Sequence, residues 1–143
     1  MKILLFSILL TILTVTLHGL GTHLALTYGT RLAPGAPPGR LRTGGRMALV
    51  VVTLLLSHLL EAGIWAAAYY LEGTLADLPT ALYYSLTCYS TVGFGDVVLP
   101  APARMLGPIE SVVGVLMLGW STAVIVTVVE QMHRPAHQAD RRK

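Results

Sequence analysis

Charge is scarce in this 143-residue chain: Asp, Glu, Lys and Arg together make up 12%, about half of what a soluble domain carries. Hydrophobic residues make up 54%, and mean hydropathy is +0.67. A disordered chain is excluded, and so is a soluble enzyme of ordinary composition. Cysteine occurs once, at Cys88, so no internal disulfide framework and no Cys-based zinc site can form. No apolar stretch carries Lys or Arg at every third position, which excludes a voltage-sensing helix. No Ser-His-Asp arrangement, phosphate-binding loop or metal-ligand spacing stands out, so no enzymatic activity and no cofactor are expected. The length leaves room for one small domain.

What is present is apolar. Ile3 to Tyr28 contains no Asp, Glu, Lys or Arg; Met47 to Leu71 contains only Glu61, and Met105 to Val129 only Glu110. Each run exceeds the roughly 20 residues that a helix needs to cross a bilayer. In hydrocarbon each must be helical, because its backbone groups find partners only within the segment. The expected fold is therefore an all-α membrane protein with three transmembrane helices. Between the first two runs, residues 29–46 hold Pro34, Pro37, Pro38 and five glycines, the composition of a linker.

Arg31, Arg40, Arg42 and Arg46 lie in that linker, and Arg134, Arg141, Arg142 and Lys143 lie in the tail. The positive-inside rule puts both in the cytoplasm and the N-terminus outside. Lys2 and the apolar run resemble a signal peptide, but no small-x-small cleavage site follows, so residues 1–28 are expected to remain as a helix. Its Ser7, Thr11, Thr14, His18 and Thr22 recur at steps of three or four. They form one polar stripe, suited to packing on neighbouring helices. The basic tail is expected to touch anionic lipid, not nucleic acid.

The segment between the second and third spans is more specific. Asp77 is placed to cap a helix whose first turn accepts Pro79. The apolar stretch up to Tyr89 is too short to cross a membrane, so it reads as a re-entrant helix. It runs into Thr91-Val92-Gly93-Phe94-Gly95-Asp96. This hexapeptide resembles the selectivity filter of potassium channels, usually TVGYGD. The similarity extends over residues 47–132: an outer helix (47–71), a pore helix (79–90), the filter (91–95) and an inner helix (105–132). With its additional N-terminal helix, the chain resembles small bacterial members of the two-pore-domain-type ion channel family.

That resemblance implies a homotetramer in the inner membrane, with four filter strands surrounding a file of K⁺ ions. Thr91, Val92, Gly93 and Phe94 would contribute K⁺-binding oxygens. Gly93 and Gly95 would supply backbone angles that other residues reach only at a cost. Val92 and Phe94 would wedge against the pore helix. Asp96 would form a ring at the outer mouth and concentrate cations. Phe94 replaces the usual Tyr, which removes one hydroxyl that braces the filter in many relatives; Cys88 and Thr87 depart from the pattern behind it. Alternative readings are a weakly selective cation channel and a non-conducting membrane regulatory or assembly protein with a pore-like fold.

Seven further positions stand out. His58 and Glu61 share a helix face and form a candidate pH-sensing or structural pair. Glu110, at the start of the second turn of the third span, suits the helix dipole, with holding the outer end of the inner helix near the filter as the alternative. Gly119 and, second to it, Gly114 are candidate gating hinges, with close helix packing as the alternative. Ser121 and Thr122 are candidates to face a water-filled cavity.

Overall fold

The structure, a computed structural model, describes residues 2–31 and 40–133. It contains four α-helices: α1 (Lys2–Arg31), α2 (Arg40–Leu71), α3 (Leu78–Tyr89) and α4 (Leu106–His133), with one 3₁₀ turn (Ala103–Met105) leading into α4. Three stretches are long and apolar enough to cross a membrane: Lys2–Tyr28, Thr43–Leu71 and Ala103–Gln131. No strand occurs among the described residues. Pro34, Pro37, Pro38 and the basic tail from Arg134 onward lie outside the described residues. The helices on either side reach into the expected linker: α1 continues to Arg31, and α2 begins at Arg40 with Gly44 and Gly45 inside it.

The helices meet along small and aromatic side chains. Ala62, Trp65, Ala66 and Tyr69 of α2 pack with Ala81, Tyr84 and Tyr89 of α3 and with Val113 and Met117 of α4. Alanines at the contact let backbones approach closely while the aromatic rings fill the remaining space. A second cluster joins Ala25 of α1, Val50 and Leu54 of α2, and Val124 and Val128 of α4. The polar stripe of α1 turns inward, with Ser7, Thr14, His18 and Thr22 all buried. Thr14 accepts a hydrogen bond from the Trp65 indole at 3.0 Å. Large apolar side chains such as Leu5, Leu9, Leu56 and Leu60 point outward, an arrangement that suits lipid and not water.

Candidate functional site

The loop that follows α3 is shaped from both of its ends. Asp77 caps α3, accepting from the Thr80 N–H at 2.8 Å and the Thr80 hydroxyl at 2.9 Å, and proline sits in the first turn. At the other end, Ser90 N–H bonds the Leu86 carbonyl at 3.1 Å, Thr91 N–H bonds Cys88 at 2.9 Å, and Gly93 N–H bonds Thr87 at 3.0 Å. The helix's last carbonyls are thereby tied to the first residues of the loop.

From there φ alternates in sign. Thr91 sits at +63°, Gly93 at +50° and Gly95 at +79°, while Val92 and Phe94 stay outside the left-handed region. A β-branched residue at positive φ is an outlier, so Thr91 is held there by its surroundings. Asp96 accepts from the Tyr83 hydroxyl at 2.8 Å, and that bond raises the Tyr83 phenol above its ordinary pKa. The Phe94 ring stacks nearly parallel to Tyr83, with centroids 6.4 Å apart. Tyr83 on α3 thus supplies a hydroxyl to this loop although position 94 has none. Its role was not recognised in the sequence, because nothing local connects residues 13 apart. Phe94 meets α3 only through this stacking and is 69% exposed on the single chain, and Val92 is 54% exposed, so neither side chain is wedged against α3 within one subunit.

Behind the loop lies a buried polar layer. Glu110 is not in the first turn of α4, where the helix dipole acts most strongly. Its carboxylate instead accepts from the Tyr69 hydroxyl at 2.6 Å and the Ser85 hydroxyl at 2.5 Å, and Ser85 also lies 2.6 Å from the Ala62 carbonyl. One fully buried acid therefore joins α2, α3 and α4.

His58 and Glu61 belong to a larger group that the sequence did not reveal. His18 Nδ1 lies 3.0 Å from Glu61 Oε1, and the Tyr89 hydroxyl donates to Glu61 Oε2. Tyr89 also lies 3.0 Å from His58 Nδ1, and His58 Nε2 lies 2.9 Å from Ser121 Oγ. Ser121 Oγ returns to His18 Nε2 at 3.3 Å. Five side chains on four helices close a ring. Ser121 is committed to this ring, while Thr122 is exposed and bonds its own helix at Leu118. Donor atoms of His18, His58 and Glu61 converge within 4.8 Å, the only such metal-type group among the described residues. Each of these donors already has a ring partner, so the group is organised for hydrogen bonding.

Of the two candidate hinges, Gly114 is close-packed: a Cβ there would overlap the backbone carbonyl of Tyr89. Nothing lies within 4 Å of the corresponding point at Gly119.

Three helices of membrane-crossing length, packed with a short helix that ends in a loop of alternating φ, make this an integral membrane protein. A family model described as "Ion channel" matches residues 53–131, more than half of the chain, and the chain belongs to that family. The match covers α3, the loop and most of α2 and α4, and leaves α1 outside. No curated protein and no solved structure is a significant match to the chain.

Proposed function

We propose that the chain is a subunit of a potassium-selective channel that conducts K⁺ passively through a filter formed by residues 91–95 of four copies. The observation that carries this is the alternation of φ at Thr91, Gly93 and Gly95. In an ordinary strand successive residues face opposite ways. Alternating the sign of φ turns successive carbonyls toward one side, as oxygen rings replacing the hydration shell of an ion require. α3 is then a re-entrant pore helix whose C-terminal end, worth about half a negative charge, faces the ion path. Asp96, held by Tyr83, forms the outer mouth. A single strand cannot surround an ion, so the working unit is a homotetramer in lipid. The exposed Val92 and Phe94 are then covered by neighbouring subunits. Arginine bias puts the 29–46 linker and the C-terminus in the cytoplasm of a cell with this protein in its inner membrane.

The deciding experiment is ion flux into vesicles containing purified protein, with K⁺ and Na⁺ compared under equal gradients. Uptake of K⁺ well above Na⁺ is expected. Equal flux of the two ions would replace this reading with a weakly selective cation channel, and no flux would replace it with a non-conducting assembly.

A further inference from the structure

The ring of His18, Glu61, Tyr89, His58 and Ser121 has a fixed requirement for hydrogen atoms. Its five links need five hydrogens, one in each. With both imidazoles neutral and Glu61 ionised, the supply is one from Tyr89, one from Ser121, one from each histidine and none from the carboxylate. That makes four, one short of the links to be filled. We propose that this ring is a buried binding site for a single proton, shared between His18 and His58 through Ser121, and that the bound proton latches α1 to α4.

The shortfall can be located atom by atom. Tyr89 donates to Glu61, so its oxygen accepts from His58 Nδ1–H. His18 Nδ1–H donates to Glu61. With both imidazoles neutral, each Nε2 is left as an acceptor, and the lone Ser121 hydrogen can satisfy only one of them. The additional proton resolves this. Placed on His18 Nε2, it donates to Ser121, which donates on to His58. Placed on His58 Nε2, the same chain runs the other way. The two forms interconvert by one rotation of the Ser121 hydroxyl. In both, the trio of His18, His58 and Glu61 carries no net charge, which suits a site inside hydrocarbon, where an uncompensated charge is costly.

The surroundings leave these groups to one another. α1 contributes His18, α2 contributes His58 and Glu61, and α3 contributes Tyr89. α4 contributes only the Ser121 hydroxyl and the Trp120 ring, which meets His18 edge-on at 5.3 Å. Glu110, the other buried acid, is committed to Tyr69 and Ser85. His18 and Glu61 are fully buried, whereas the His58 side chain is 13% exposed on the single chain, so His58 is the less enclosed of the two histidines. When the proton leaves, the shorter link from Ser121 to His58 at 2.9 Å survives, and the 3.3 Å link to His18 is lost. α1 then keeps its apolar packing and the Trp120 ring contact with α4 but loses this hydrogen bond to it.

The test is nitrogen NMR of the full chain in lipid bilayers, with ¹⁵N-labelled histidine titrated from about pH 5 to 9. His18 and His58 are expected to respond together at one midpoint, taking up one proton between them. Their Nε2 signals should lie between the protonated and neutral positions on the acid side. Ser121→Ala needs only three links, which neutral imidazoles satisfy. It should therefore lose the common midpoint or move it by about one pH unit or more toward acid. Tyr89→Phe should do the same by a different deletion, and Ser121→Thr should restore the parent behaviour. Independent titration of the two histidines in the parent, uptake of two protons, or an unchanged common step in both deletion variants would overturn the proposal. So would stoichiometric Zn²⁺ displacing the shared Nε2 proton. These readouts do not depend on ion conduction, so their failure is distinguishable from failure of the channel reading.

Discussion

Gly95 holds the largest positive φ in the loop, +79°, and Gly93 sits at +50°. Nothing lies within 4 Å of where a Cβ would stand at either position. The cost of a substitution there is conformational, not a matter of space in the single chain. An L-residue kept in such a region costs on the order of 1–3 kcal/mol, and a tetramer would impose that cost four times around one ion path. Gly95→Ala is expected to abolish K⁺ flux or its selectivity over Na⁺ while insertion into the membrane continues, as read by vesicle flux and membrane fractionation. Parent-like selective flux would remove residues 91–95 from the filter. Thr91 already bears a comparable backbone cost at +63°. Thr91→Ala removes a hydroxyl and some crowding but no carbonyl, so its effect should be milder. Phe94→Tyr should be tolerated, because Tyr83 already anchors Asp96 from α3.

At the scale of elements, the position of α3 is set by how closely α4 approaches it. Gly114 of α4 lies against the Tyr89 carbonyl, and the Ser111 hydroxyl bonds the Cys88 carbonyl at 2.7 Å. Two residues on one face of α4 therefore seat the end of α3 just before the loop begins. Overpacking such a contact costs about 1–3 kcal/mol, and the neighbour is the Tyr89 backbone, which cannot swing aside. Gly114→Ala should lower thermal stability in detergent measurably, whereas Gly119→Ala, facing open space in the single chain, should change it little. Equal melting temperatures for the two variants would contradict this packing. Any effect of Gly119→Ala confined to flux would point to movement of α4 or to contacts between subunits.

For the whole molecule, the outward array of apolar side chains on α1, α2 and α4 requires lipid, other subunits, or both. The exposed loop from Thr91 to Asp96 has its proposed coordination only when four copies meet. Purified protein should run as a tetramer by native mass measurement, and a stable monomer in lipid would sink the filter assignment. Orientation is checked separately: a cysteine placed near Glu72 should be labelled from outside, and one near Gly39 should not. The reverse pattern would overturn the proposed direction of the pore. α1 lies outside residues 53–131 of the family match, yet its His18 enters the same ring as Tyr89, two residues before the loop. The additional helix is thereby wired to the end of α3.

Much of this was legible in the residues. Long stretches without charge mark three spans, because hydrocarbon excludes unpaired charge and demands helical backbone. Asp77 and Pro79 announce the start of α3, and glycines two apart announce a loop of unusual φ. These signals are local, carried by a residue and its near neighbours. The pairings across helices were not legible: His18 with Glu61, Tyr83 with Asp96, and Glu110 with Tyr69 and Ser85. The stripe on α1 showed that one face would turn inward, but not which partners it would meet. Uniformly apolar helices give little sign of their rotation or register, since lipid provides no hydrophobic drive between them. Those choices are made by close packing at Ala62, Ala66 and Gly114 and by the hydrogen bonds that join His18, Glu61, Tyr89, Tyr69 and Glu110 across helices. Both are satisfied only when all four helices are in place.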